Sequence, residues 1–528
     1  MQTRTEQQPF YNQENDKPRE ACGITAIYSK HEKTISPFIV DLQHNLQHRG
    51  RDSAGIATFD ESAGKITAYR DLGKVRDVFP QGFNFAEHNL LSRMAIGHNR
   101  YGTSGEGQKD NRDGSQPMVA EWNGRTIAIA YNGNLPDRER QKLRTRIPQD
   151  MPKGSNFDTE DIARAIVSAK GEAWEEQIRN GLDGVHLAYA LTIITDKGEI
   201  FGLRGPSGHW PLWAGENNEL VILASETRVV DRDSNISWRE VAPGELVKAT
   251  PGGIISKQIF PETQLFRCSL HDVYGARSDS IMTIKDGIPI THGEFRSYLG
   301  KLLAIERPID ADLYIGIPKT GLAIVEGYVR GLGSTATEVV TKLDDTRAFI
   351  GKDDAEINAV VNGNLKISEP RMVRGKKVVA IDDSLIRGKS AGGDPLNGGI
   401  DHPVKRAKGY NMLLREAGAT EVHNLFALPK FVKGCDMGYY IRENQLVALV
   451  KREDGTYEEL DKEVIAVRIG ADSVNFLSHD GVQTAYEWAF GRKNIACMRC
   501  MGQPHPLDIL SGDIPKDIRE PVLVYSSP

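Results

Sequence analysis

The chain is poor in cysteine, with five in 528 residues. That is too few for a disulfide scaffold and points to a reducing compartment. No apolar run approaches the ~18 residues that suggest a membrane-spanning helix. Basic charge is not in excess either: 66 Lys and Arg face 72 Asp and Glu, for a net charge of -6 and a pI near 6.2. An electrostatic case for nucleic acid or an anionic membrane is therefore missing. The first 21 residues contain no hydrophobic segment, because Glu6, Glu14, Asp16, Lys17, Arg19 and Glu20 interrupt them. That excludes a secretory signal, and a cytoplasmic location is expected. No repeat or low-complexity tract occurs. What remains is an ordinary soluble composition, 39% hydrophobic and 26% charged, long enough for two or three domains.

Within that composition, Ala21-Cys22-Gly23-Ile24 stands out. A cysteine followed by glycine and a short apolar run reads as the first strand of a domain. If residues 1–21 are a pro-segment and are removed, Cys22 carries a thiol and an α-amine on one residue. The amine titrates near pH ~8 and can serve as general base to its own nucleophile. The alternative is a disordered tail before a buried core cysteine.

From Cys22 to about Gln258, short apolar strands alternate with Gly- and Asn-rich turns, as in Thr126–Ala130 and Ala188–Thr195. Four polar clusters are expected at turns: residues 46–55, 97–103, 131–135 and 155–160, the last opening a helix with Ile162, Ala165 and Ile166. Singly, each has a plain explanation. Arg49 and Arg100 suit surface cations, Asn132-Gly133 suits a type I′ hairpin turn, and Asp158 suits a helix cap. In this order, with Pro206-Ser207-Gly208, Ala224-Ser225-Glu226 and Ala242-Pro243-Gly244-Glu245, they resemble the N-terminal-nucleophile glutamine amidotransferases. The resemblance implies an αββα sandwich in which Cys22 attacks the glutamine side-chain amide, releasing ammonia and leaving a γ-glutamyl thioester. It further implies an oxyanion hole made by the Asn132 amide and the Gly133 N–H. Arg100 would clamp the glutamine α-carboxylate, Asp158 would bind the α-ammonium, and Arg49 would shape the pocket beside the nucleophile.

The second half changes texture near Phe266. A strand at residues 312–317 ends in Pro318-Lys319-Thr320, and another at Lys377–Ile381 runs into Asp382-Asp383-Ser384-Leu385-Ile386-Arg387-Gly388-Lys389-Ser390. Residues Asn411–Ala417 read as a helix stopped by Gly418. Alternating strands and helices predict a mainly parallel sheet with ligands at the strand C-termini. Two adjacent carboxylates delivered into a hydroxyl- and glycine-bearing turn suit a sugar phosphate and its Mg2+; a solvated turn is the plain alternative. The run resembles the phosphoribosylpyrophosphate (PRPP) loop of type I phosphoribosyltransferases, which implies that Thr320, Asp382, Asp383, Ser384, Arg387, Gly388 and Ser390 hold PRPP and Mg2+.

The two halves in this order resemble the glutamine PRPP amidotransferase family, α/β enzymes that make 5-phosphoribosylamine at the start of purine synthesis. That resemblance implies a homo-oligomer with nucleotide feedback effectors. The expected division is a pro-segment at 1–21, a glutaminase at 22–262, a phosphoribosyltransferase-type domain at 263–490 and a tail at 491–528. One branch of the family holds a [4Fe–4S] cluster on four cysteines, and Cys268, Cys435, Cys497 and Cys500 stand at similar places here. A four-cysteine zinc site is the alternative.

Departures gather in the second half. The family's Arg-Gly-Thr-Thr is Arg387-Gly388-Lys389-Ser390 here, followed by an insertion from about Ala391 to Lys408. The segment that covers PRPP keeps Lys342, Arg347, Phe349 and Ile350 but continues with Asp353, Asp354 and Glu356, and Lys319 stands where the family carries an acid. Two further readings follow: a paralogue that aminates another phosphorylated acceptor, and a glutaminase with an idle, regulatory second domain.

Overall fold

The computed structural model describes residues 22–31, 33–101, 112–186, 188–231, 234–342, 365–388, 390–392, 409–439 and 441–511. The leader, Gly102, Thr103, Arg347 to Glu356, Lys389 and residues 393–408 of the insertion lie outside them.

In the first half the strands are β1 (Gly23–Ser29), β2 (Ser53–Asp60), β3 (Lys65–Leu72), β4 (Met94–Arg100), β5 (Met118–Trp122), β6 (Arg125–Gly133) and β7 (Tyr189–Thr195). They continue with β8 (Ile200–Arg204), β9 (Trp213–Glu216), β10 (Leu220–Ala224), β11 (Ser237–Glu240), β12 (Glu245–Thr250) and β13 (Gly253–Gln258). They form two sheets, ordered β11-β9-β10-β1-β4-β2-β3 and β13-β12-β8-β7-β6-β5. Every residue of β1, β4 and β7 is buried. Apolar-polar alternation is lost in such strands because both faces are covered. The inner faces meet through Ile24, Ala26, Ile96, Ala128, Ala130 and Ala190.

Helix α1 (Ser36–Asn45) lays Ile39 and Leu42 over Ile27, Ile56 and Ala95 on one outer face. On the other, α2 (Asp137–Arg144), α3 (Asp158–Val167) and α4 (Trp174–Leu182) set Leu143, Ile162, Ile166 and Ile178 against Ile127 and Ile129. Helix α3 starts on three acids, Asp158, Glu160 and Asp161, where the helix dipole favours negative charge. The result is the αββα sandwich.

Two of the four polar clusters are not turns. His98, Asn99 and Arg100 end β4, and Asn132 and Gly133 end β6, in register with Ala190 and Tyr189. A hairpin turn would send the chain back along β6. Here the chain leaves for α2, and the strand beside the Asn-Gly pair is β7, which arrives more than 50 residues later.

The second half holds β14 (Arg267–Cys268), α5 (His292–Glu306), β15 (Leu313–Gly316), α6 (Gly321–Leu332), β16 (Lys377–Asp382), α7 (Tyr410–Glu416) and β17 (Glu421–Phe426). After these come α8 (Lys462–Ile469), β18 (Ser473–Phe476), α9 (His479–Phe490) and β19 (Ala496–Cys497). Strands β15-β16-β17-β18 form a parallel sheet in that order. A capping box starts α5: Thr291 Oγ1 accepts from Glu294 N at 3.2 Å, and the Glu294 carboxylate accepts from Thr291 N at 2.8 Å. Helices α5 and α6 touch backbone to backbone. A Cβ on Gly300 would stand 1.9 Å from Ile324 O, and one on Gly327 would stand 1.7 Å from Ser297 O, so only glycine fits at either. Strand β14 pairs in parallel with β19, setting Cys268 beside Cys497 and tying the C-terminal segment to the start of this half. One apolar core runs from the sandwich into α5 and α6. Among the described residues no helix is long and apolar enough to cross a membrane.

Candidate active sites

Cys22 lies just before β1 and is 7% exposed. The strand start is pinned from both sides: Ile24 N donates to Ser225 Oγ and Ser225 N donates to Ile24 O, each at 3.0 Å. Burial pushes the thiol up from its ordinary value. The neighbouring Arg100 and Arg49 pull it back, and Asp158 adds to the rise.

The Asn132 side chain is fully buried, and neither its oxygen nor its nitrogen has a partner among the described residues. Buried amides are rarely left so. An amide held without a partner is what a site needs if the group it is to bond forms only during the reaction. Gly133 follows, with φ +155°, and a Cβ there would fall 1.9 Å from Ala188 O.

Arg100 is 4% exposed, lies 5.1 Å over the Phe157 ring, and keeps Nη1 unpartnered among the described residues. A Cβ on Gly114 would come within 2.7 Å of its Nη2, so a small residue is needed there to admit the guanidinium. Asp158 is the first residue of α3 rather than its cap. Its two oxygens accept from Leu135 N and Thr159 N, each at 3.0 Å. Burial raises its carboxyl, while those two N–H groups and Arg140 oppose the rise. Arg49, 1% exposed, donates from Nε to Cys22 O at 3.1 Å and from Nη1 to Glu226 at 2.8 Å. Two of its donors therefore hold protein, one of them the nucleophile's own carbonyl.

In the second half, β16 delivers Asp382 and Asp383 to the C-terminal edge of the parallel sheet, both buried. Asp383 accepts from Ser384 Oγ at 2.5 Å and from Thr320 Oγ1, so the turn after β15 and the turn after β16 share one carboxylate. A pocket opens there, lined by Asp382, Ser384, Arg387, Gly388, Ser390 and Tyr410. Arg387 also donates to Gln445 at 3.0 Å. Tyr410 was not foreseen. It is the first residue of α7, beyond the insertion, and no local motif marks it; the bonds from Tyr410 N to Ser390 O at 2.7 Å and from Asn411 N to Ala391 O at 3.3 Å return it to the loop.

The four remaining cysteines come together from three separate stretches of chain. Burial pushes all four thiols up, Cys497 to about 12, and for Cys268 and Cys500 the neighbouring cysteines add to the rise. Backbone N–H groups reach their sulfurs: Met437, Gly438 and Tyr439 at Cys435, Arg499 at Cys497 and His271 at Cys268. Such donors are what a ligating thiolate needs in a dry site. Among the described residues no three His, Cys, Asp or Glu side chains close around the position of one ion.

The sandwich with its strand-end cysteine, spare amide and buried guanidinium defines an N-terminal-nucleophile glutaminase, joined here to a phosphoribosyltransferase-type sheet. A profile of a glutamine amidotransferase domain matches residues 103–232. The amidophosphoribosyltransferase of Synechocystis is 31% identical over 487 residues, 90% of this chain and 89% of its own. That of Bacillus subtilis is 30% identical over 518 residues, 96% and 98% of the two chains. The solved B. subtilis glutamine PRPP amidotransferase, complexed with ADP and GMP, superposes with a TM-score of 0.73 at 30% identity, covering 92% of this chain and 97% of that one. The chain belongs to the amidophosphoribosyltransferase family.

Proposed function

We propose that this enzyme takes the amide nitrogen of glutamine at Cys22 and transfers it to PRPP at the Asp382–Ser390 turn, giving 5-phosphoribosylamine, pyrophosphate and glutamate. The observation that carries the first half is the buried Asn132 amide, left without partners among the described residues at the end of a strand in the sheet facing the nucleophile's.

With the chain starting at Cys22, its α-amine takes the thiol proton and the thiolate adds to the amide carbon. The oxyanion is received by Asn132 Nδ2 and Gly133 N–H. Collapse expels ammonia, which the protonated amine has completed, and water then hydrolyses the thioester. Arg100 and Asp158 hold the two charged ends of the amino acid, and Arg49 steadies Cys22 through its carbonyl. At the second site, ammonia displaces pyrophosphate from the ribose C1 carbon. Asp382 and Asp383 hold the sugar end, and Ser384, Arg387, Gly388 and Ser390 hold its phosphate. The adjacent carboxylates suit Mg2+, which binds through one or two acids plus substrate phosphates and supplies charge neutralisation on the leaving pyrophosphate. Nucleotide effectors fit the same reading, since the B. subtilis relative was solved with ADP and GMP.

Cys268, Cys435, Cys497 and Cys500 would hold a [4Fe–4S] cluster. A four-cysteine zinc site, with its sulfurs ~2.3 Å from one ion, is the alternative. A cluster spreads its ligands more widely and draws on N–H donors to its sulfurs. Its place is structural: it would fasten β19 and the loop at Cys435 to β14.

The test uses amide-labelled glutamine with Mg2+ and PRPP, with mass analysis of the products. Labelled phosphoribosylamine with equal pyrophosphate and glutamate is expected. Glutamate without pyrophosphate would overturn the transfer and favour an idle second domain. Activity in a chain that retains residues 1–21 would overturn the role of the amine.

A further inference from the structure

Glu226 belongs to the Ala224-Ser225-Glu226 run and has no part in the chemistry above. It is 2% exposed and sits where the sandwich meets the segment leading into α5. Its two oxygens divide between the halves of the molecule. Oε1 accepts from His48 Nε2 and Arg49 Nη1, both at 2.8 Å and both on the glutaminase side. Oε2 accepts from Arg277 N at 3.1 Å and Ser280 Oγ at 2.9 Å, both on the approach to α5. Burial alone would raise this carboxyl, yet His48 and Arg49 hold it well below the carboxylate range, so it stays charged.

Each side continues to an active site. Toward the glutaminase, Arg49 Nε donates to the carbonyl of Cys22 at 3.1 Å. Toward the transferase, Arg296 of α5 donates to Ala276 O at 2.6 Å and Ser278 Oγ at 2.8 Å, on the same segment that carries Arg277 and Ser280. Arg296 is itself buried, and burial lowers its guanidinium to about 10, against the opposing charges of Asp383, Glu226 and Asp272. Two neighbouring bonds brace the joint without bridging to Cys22, Ile281 N donating to Thr227 Oγ1 at 3.0 Å and Arg228 Nε to Asp279 at 2.9 Å, while His271 Nε2 lies 3.5 Å from Arg49 Nη1 as a longer second contact.

We infer that Glu226 is a positioning residue, a clamp through which the segment Ala276–Ser280, held by Arg296 of α5, sets the placement of Arg49 and hence of Cys22. Filling the sugar-phosphate site loads Asp383 with new partners, which changes what Arg296 and its segment experience. Glu226 is the buried charged group that meets this segment on one oxygen and the Cys22 support on the other. Lost or neutralised, it leaves Arg49 buried without its counter-charge, and the Cys22 backbone loses its fixed donor. The inference rests on the reading that PRPP occupies the Asp382–Ser390 turn.

Three quantities test it in Glu226→Gln and Ser280→Ala: steady-state glutamine hydrolysis with and without Mg–PRPP, the rate of Cys22 alkylation by iodoacetamide under the same two conditions, and thermal unfolding. Glu226→Gln is expected to lower kcat by about tenfold or more, the effect of one weakened charge-assisted hydrogen bond. Its glutamine KM should stay close to wild type, since Arg100 and Asp158 are untouched, and its alkylation rate should no longer respond to PRPP. Ser280→Ala removes a bond on the transferase side only. It is expected to leave PRPP-free hydrolysis unchanged while cutting the PRPP response by about fivefold, the size of one hydrogen bond. Wild-type behaviour in Glu226→Gln would overturn the clamp. So would Ser280→Ala lowering the rate by the same factor with and without PRPP, the mark of a merely structural role. If wild type itself ignores PRPP, the acceptor reading fails. The clamp then stands on a changed Cys22 alkylation rate in folded Glu226→Gln, and falls if that rate is unchanged.

Discussion

Gly133→Ala is the sharpest probe of the glutaminase site. The added Cβ would stand 1.9 Å from Ala188 O, where real Cβ contacts do not fall below 3.0 Å, so about 1 Å of movement is forced on the end of β6. Ala188 cannot readily retreat, because it already holds a left-handed backbone at φ +63° and sits fully buried beside Cys497 and Met437. The movement therefore falls on the Gly133 N–H and the neighbouring Asn132. A misplacement of about 1 Å costs roughly 100-fold, and complete loss of one oxyanion donor costs ~3–4 kcal/mol, or about 100- to 1,000-fold in kcat. Glutamine KM should change little, because the proposed grip of Arg100 and Asp158 on the substrate lies elsewhere. The assay is glutamate release under steady state, alongside pyrophosphate release driven by ammonium chloride in place of glutamine. The first should collapse and the second persist. A Gly133→Ala enzyme within about threefold of wild-type glutamine kcat would refute the oxyanion assignment, since an N–H moved that far cannot keep a transition-state bond.

Arg100→Lys should raise glutamine KM by about tenfold or more, because an ammonium cannot reproduce a two-pronged grip on a carboxylate; initial-rate kinetics at varied glutamine will read this. Replacing Cys497 or Cys500 with Ser should remove bound iron, sulfide and visible absorption and lower the thermal midpoint, while zinc content stays negligible in wild type, as metal analysis will show. Acid should destabilise the fold from about pH 6.5 downward. Burial lowers His98 to about 3 and His209 and His292 to about 4. Each is thus neutral when folded and charged when unfolded between those values and the ordinary 6.5. The unfolded state binds more protons there, so stability is full above pH 6.5 and falls as pH drops toward 4, by about 3 kcal/mol for each histidine. Denaturant midpoints measured from pH 8 to pH 5 will check the sign, and a midpoint that rises on acidification would refute it.

Cys22 at the head of a strand, the Asp382-Asp383 pair at the end of another, four cysteines to spare and the alternation that gives a parallel sheet were all legible in the residues alone. Each depends on chemistry within a few positions: an apolar run, a glycine, a pair of carboxylates. The placement of Asn132 and Gly133 was not. A local reading makes them a hairpin turn, because Asn-Gly favours one, and only pairing with β7 shows that the chain does not turn back there. Arg49 shows the same limit: its neighbours leave it between a surface cation and a residue shaping the pocket beside the nucleophile, and the fold buries it and gives two of its donors to Cys22 O and Glu226. Tyr410 reaches the pocket at the Asp382–Ser390 turn only because the chain returns to Ser390 after the insertion, and Glu226 joins the two halves only because residues 48, 49, 277 and 280 converge on it. The residue string by itself determined which groups could react and in what order they occur. The tertiary structure decided which of them meet, because register, burial and the division of one carboxylate between two partners arise from contacts across hundreds of residues.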